Sequence, residues 1–103
     1  MDAIARVDFG GAAFRLKFID DRTMSFEDTS GTFQGVRDTV QYRAVDVSRN
    51  VFTVYWHQPS TGSNVVHVQN WSSGAVYTNI TGKDGSFLHL HGSIKLEDPR
   101  EPR

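Results

Sequence analysis

The chain of 103 residues has no cysteine, which excludes disulfides, thiolate nucleophiles and the usual cysteine-based structural zinc sites. It has no surplus of charge: 11 Lys and Arg stand against 12 Asp and Glu, a formal net charge of -1. A basic footprint is therefore missing, and nucleic acid is not an expected partner. No apolar run approaches the roughly 20 residues that a membrane helix needs. The N-terminus, MDAIARVDFGG, lacks the basic-then-apolar order of a secretory leader. The expectation is a soluble, cytoplasmic chain without membrane contact. Nor does any stretch carry ten or more residues of helical amphipathicity.

What is there is β-pattern. The length fits one domain, and a hydrophobic content of 38% with 12% aromatics suffices for one compact core. VFTVYWH (51–57), NVVHVQNW (64–71), AVYTNI (75–80) and SFLHLHGSIKL (86–96) are rich in β-branched and aromatic residues and are separated by turn-forming groups. They read as four strands in three consecutive hairpins. Upstream, AAFRLKFI (12–19) and RTMSFED (22–28) form a first hairpin, and TVQYRAVDV (39–47) a third long strand. Residues 1–11 read as an arm or short strand, 12–96 as the barrel domain and 97–103 as a flexible, proline-punctuated tail. The segment TSGTFQGVRD (29–38) is the least regular, and is expected to be a crossover, a lid over a barrel mouth or a short strand around Phe33. Seven or eight antiparallel strands hide their edges most easily by closing into an up-and-down β-barrel, with a two-sheet sandwich as the rival.

Alternation sorts the strands onto two faces. Symmetric closure of the first two turns sets Trp56 opposite Val65, Val54 opposite His67, Val65 opposite Ile80 and His67 opposite Thr78. The simplest third closure sets Thr78 opposite Leu88, Val76 opposite Leu90 and Tyr77 opposite His89. The face with Phe52, Val54, Trp56, Val65, His67, Gln69, Val76, Thr78, Ile80, Leu88 and Leu90 is the more apolar and is expected to be buried. On the preceding strand Tyr42 is expected inward, because an unpaired lumen arginine costs more than a tyrosine whose hydroxyl needs one partner.

The hairpin FRLKFIDDRTMSF, the segment TVQYRAVDVSRNVFTVYWHQP and above all VVHVQNWSSGAVYTNITGKDGSFLHLHGSI resemble the small MoaF-like domains, a calycin-type barrel group. The resemblance runs from Ala12 to Ile94. It implies a calycin or lipocalin-like barrel and supplies no catalytic motif to carry over.

Within the barrel, Trp56, His67, Gln69 and Thr78, with Tyr42 as a fifth member, are the candidate ligand-binding set. An apolar cup with a few convergent polar groups suits a small, partly apolar molecule. The opposing reading is a filled barrel, an interaction module in which His67 and Thr78 satisfy each other. His67 is also the weak catalytic candidate, as general acid or base of a decarboxylase- or isomerase-type barrel, although no carboxylate is evidently placed to orient it. On the other face, His89 and His91 supply two potential metal ligands, short of a site. With Tyr55, Tyr77 and Phe87 they read better as a subunit interface in a homodimer. No cofactor is expected. Asp20, Asp21, Glu27 and Asp28 read as solvated hairpin charges.

Overall fold

The computed structural model describes residues 3–97. Eight strands, β1 (Ala3–Asp8), β2 (Ala13–Phe18), β3 (Thr23–Asp28), β4 (Arg37–Ser48), β5 (Val51–Gln58), β6 (Ser63–Asn70), β7 (Ala75–Thr81) and β8 (Phe87–Glu97), make one closed barrel in sequence order. Every neighbouring pair is antiparallel, and β1 pairs with β2 on one side and β8 on the other. The fold is thus the up-and-down barrel, and the sandwich is not formed. Ala3–Asp8 belongs to the wall, while the tail expected beyond Leu96 lies, from 98 on, outside the described residues.

Alternation decides the core. Val7, Leu16, Met24, Phe26, Val40, Tyr42, Val54, Trp56, Val65, Val76 and Ile94 are all buried, and each such large apolar side chain contributes about 1.5–3 kcal/mol as an upper estimate. The first two hairpins of the β5–β8 meander close as the symmetric turns require: Trp56 faces Val65, His67 faces Val54 and Thr78, and Val65 faces Ile80. The third does not. Thr78 faces Leu90, Val76 faces Gly92, and Tyr77 faces His91, two residues beyond the simplest closure. The turn consumes all of residues 82–86: the Gly82 N–H donates to the Ser86 carbonyl at 2.8 Å, Asp84 accepts from the Ser86 N–H at 3.0 Å, and Gly85 takes φ 87°. Because the shift is even, every residue of β8 keeps its face.

One glycine governs how the barrel shuts. At Gly92, on the inward side of β8, a Cβ would stand 2.8 Å from the Asp8 carbonyl carbon and 2.9 Å from the Phe9 Cα, and closer still to the Asp8 oxygen. The end of β1 crosses directly over this position, which carries Phe9 inward against Phe14 and His67, each with ring centroids 6.3 Å away. The obstruction is backbone and cannot rotate aside. Gly92→Ala is therefore expected to destabilise the fold by about 1–3 kcal/mol, the usual cost of overpacking, and to loosen the Asp8–Phe9 corner. Denaturant melts with amide exchange at residues 7–9 test this, and an unchanged midpoint would contradict it.

Candidate functional site

Among the described residues four polar side chains are buried: His67, Gln69 and Thr78 in the β6–β7 region, and Asp28 at the end of β3. The first three are there because they hold inward positions on strands whose other inward residues are apolar. Their hydrogen bonds form a directed relay. The Trp71 indole N–H, which can only donate, gives its proton to Gln69 Oε1 at 3.2 Å. That fixes the amide's orientation, so Gln69 Nε2 donates to His67 Nδ1 at 3.3 Å. A neutral His67 with Nδ1 accepting must carry its proton on Nε2. The Nε2–H has no hydrogen-bond partner among the described residues. Burial lowers the imidazole pKa from 6.5 to about 4, so the ring is neutral at pH 7. Its only basic lone pair is already engaged by Gln69, which makes it a fixed donor and not a ready proton acceptor.

Thr78 lies opposite His67 but is not bonded to it: its Oγ1 is buried with no partner among the described residues. Leaving a buried hydroxyl unpaired costs about 1–3 kcal/mol. Both residues line a lumen cavity of about 30 Å³, together with Phe9, Phe14, Phe26, Trp56, Gln58 and Ile80 among others. That is room for about one water. Trp56 packs against the His67 ring at 4.9 Å, and its indole N–H is spent on Gln58 at 3.0 Å.

Of the five ligand candidates, then, Trp56, His67 and Thr78 meet at the cavity. Gln69 is buried behind them as part of the relay. Tyr42 is inward but elsewhere, because its hydroxyl donates to the Asp20 carbonyl at 2.6 Å and its ring packs on Phe18. It pins the β2–β3 turn; burial, then the Asp21 and Asp20 charges, raise its pKa. Phe9, Phe14, Gln58 and Trp71 were not expected at the site. Phe9 sat in a segment with weak strand pattern, and Trp71 acts through a partner two residues away that alternation alone does not reveal.

Above the cavity the barrel mouth opens into a crevice of about 480 Å³ lined by Phe14, Phe26, Phe33, Val36, Gln58, Ile80 and Leu88, with polar groups at its rim. Phe14, Phe26, Gln58 and Ile80 line both spaces, so the crevice and the lumen cavity share a wall of four side chains. The loop 29–36 roofs one side, with Phe33 stacked on Phe14 at 5.5 Å. Asp28 organises that loop. It is not a solvated hairpin charge: it is buried, and its carboxylate accepts from the N–H groups of Ser30, Gly31, Phe33 and Gly35 and from the Ser30 hydroxyl at 2.6 Å. The Ser30 hydroxyl foremost, aided by the backbone donors and opposed by burial, holds its pKa at about 2.

The outer-face candidates lie apart from the cavity. Tyr55, Tyr77, Phe87, His89 and His91 are all exposed. His91 stacks on Tyr77, Phe87 meets the His89 ring edge-on, and His89 Nδ1 is bonded to Asn79. Among the described residues no group of three His, Cys, Asp or Glu side chains is arranged to hold a metal ion.

Two pH windows follow from these groups. Unfolding lets His67 bind protons below 6.5 that the folded ring refuses until about 4, so stability falls as pH drops through that range, by up to about 1.4 kcal/mol per pH unit. Asp28 contributes stability above its ordinary 3.8, and this is lost as pH falls towards about 2. In urea melts across pH 7 to 2, His67→Gln is expected to flatten the upper window and Asp28→Asn the lower one. Curves parallel to wild type would refute both assignments.

The sequence matches the MoaF-like family model over residues 3–95. None of the curated proteins compared with the chain matches it. Among solved structures the fold is similar to that of a Burkholderia vietnamiensis protein described as a "putative beta-lactamase", with a TM-score of 0.86, 23% identity and 92% of each chain covered. At that identity the likeness carries the fold alone. The family match spans nearly the whole described barrel, and the chain belongs to the MoaF-like family.

Proposed function

We propose that this barrel, calycin-like in build, binds a small, partly apolar molecule at its mouth, with the inner end of the ligand reaching the lumen cavity. The observation that carries this reading is a mouth crevice that shares four lining side chains with the lumen cavity. A crevice of about 480 Å³ falls within the usual size range of small-ligand sites, whereas a lumen space of about 30 Å³ admits only the tip of such a molecule. Aromatic walls from Phe14, Phe26 and Phe33 supply area at little entropic cost. The Asp28-braced loop keeps Phe33 in place before a ligand arrives, which reduces the ordering cost of binding.

A catalytic reading has less support. Hydrolysis of the type named for the Burkholderia vietnamiensis protein by a hydroxyl nucleophile needs an adjacent base. Thr78 has the hydroxyl, but the basic nitrogen of its neighbour His67 faces Gln69. His67 serves better as a hydrogen-bond donor than as a proton shuttle.

A second reading concerns the opposite surface, where we propose a homodimer. From Asn50 to Gly82 the chain contains no Asp, Glu, Lys or Arg, so the outer wall of β5–β7 carries none of these side chains while exposing Tyr55, Val66 and Tyr77. A closed barrel offers no strand edge, so association must be face to face. An uncharged face meets a copy of itself without like-charge repulsion, as a two-fold interface requires.

Titration with the neutral fluorophore 6-propionyl-2-(dimethylamino)naphthalene is expected to give saturable, blue-shifted emission. Leu88→Glu, at the exposed rim, should weaken it about tenfold, or about 1.4 kcal/mol. Absence of binding, or indifference to Leu88→Glu, would remove the mouth as the site. For the outer wall, sedimentation should show a dimer that Tyr77→Glu dissociates; a wild-type monomer at micromolar concentration would eliminate the interface.

A further inference from the structure

Resting on the mouth-binding reading, we infer that the tip of the ligand that enters the lumen is an uncharged hydrogen-bond acceptor, a carbonyl in the first instance, held by the His67 Nε2–H and the Thr78 hydroxyl. Three observations converge on this chemistry. The first is the relay. Trp71 can only donate, so Gln69 must present its amide nitrogen to His67 Nδ1, and the imidazole has only a donor left for the cavity it lines. The second is Thr78, 2% exposed, with a hydroxyl that has no partner among the described residues. It holds the directly opposing position on β7, where inward side chains of an antiparallel pair lie about 5 Å apart at Cβ. One carbonyl oxygen, with two lone pairs, can accept from both groups.

The third observation is what the cavity lacks. Its lining residues include no lysine or arginine. A carboxylate tip would be buried without a countercharge, which is prohibitive unless it stays neutral. An ammonium tip would meet a donor at His67 where it needs an acceptor. An alkyl tip would fit the volume but leave both polar groups unpaired after expelling any water that served them. The order of preference is carbonyl, then hydroxyl, then alkyl, with carboxylate last. Gln69 and Trp71 act as positioning residues here: they touch no ligand, and they set which proton His67 offers.

The test uses three probes of one shape: 2-acetylnaphthalene, 2-ethylnaphthalene and 2-naphthoate, titrated against the full chain by tryptophan fluorescence and by competition with the neutral fluorophore. The acetyl compound is expected to bind at least tenfold more tightly than the ethyl compound, and naphthoate more weakly than either. Thr78→Val, which removes the hydroxyl at constant shape, should erase most of the acetyl preference while leaving ethyl binding unchanged. Independently of any ligand, nitrogen-resolved NMR at pH 7 should find His67 neutral and protonated at Nε2, a readout that stands even if Thr78→Val fails to fold. If ethyl and acetyl bind equally at a site sensitive to Leu88→Glu, or if His67 carries its proton on Nδ1, the inference is overturned and mouth binding survives. If none of the three binds, the mouth reading fails and the inference falls with it.

Discussion

Pairing of β1 with β8 leaves no strand of the wall with a free edge, so each side chain has two destinations, lumen or solvent. That constraint explains why a short chain can place histidine, glutamine and threonine in its interior. Once closure and alternation fix β6 and β7, His67, Gln69 and Thr78 have no outward alternative without reversing every valine beside them. Closure depends in turn on Gly92, the one inward position of β8 where the β1 backbone passes too close for a side chain.

The interior is divided along its length. Towards the β2–β3 turn Tyr42, Phe18 and Met24 pack into it, and the Tyr42 hydroxyl ties the wall to the turn below. Towards the opposite end lies the lumen cavity, which shares Phe14, Phe26 and Ile80 with the crevice at the mouth. Polar groups follow the same division. The Tyr42 hydroxyl is spent on the Asp20 carbonyl, while Thr78 and His67 line the remaining cavity. A buried carboxylate, Asp28, braces the loop that carries Phe33 over that opening, so the mouth is shaped by an interaction that does not itself touch the crevice.

Strand periodicity made most of the wall legible. The inward set on β5–β7 and the register of two hairpins follow from short turns whose closure leaves one solution. The third hairpin departs by two residues from the simplest closure because its turn spends two more residues on internal hydrogen bonds, a matter of loop geometry and not of strand pattern. The polar core was legible by position but not by partnership. His67 and Thr78 are opposite each other as alternation requires, yet His67 bonds along its own strand to Gln69, which depends on Trp71 lying just beyond the strand end. Asp28 was opaque for a related reason. An aspartate before a Ser-Gly-rich run looks like any surface turn, and only three-dimensional convergence of four amide groups distinguishes it.

The charge-free stretch from Asn50 to Gly82 has a consequence for the chain before it folds. Three consecutive β-prone segments without a single Asp, Glu, Lys or Arg lack the gatekeeping charges that normally keep such strands apart in the unfolded state. Pro59 and the glycines at 62 and 74 are their main interruptions. The native barrel neutralises this hazard by sealing every edge, but a nascent or partly opened chain has no such protection until β1 and β8 meet from opposite ends of the sequence. Closure is thus what separates a sealed barrel from an exposed sheet ready to pair with its neighbours.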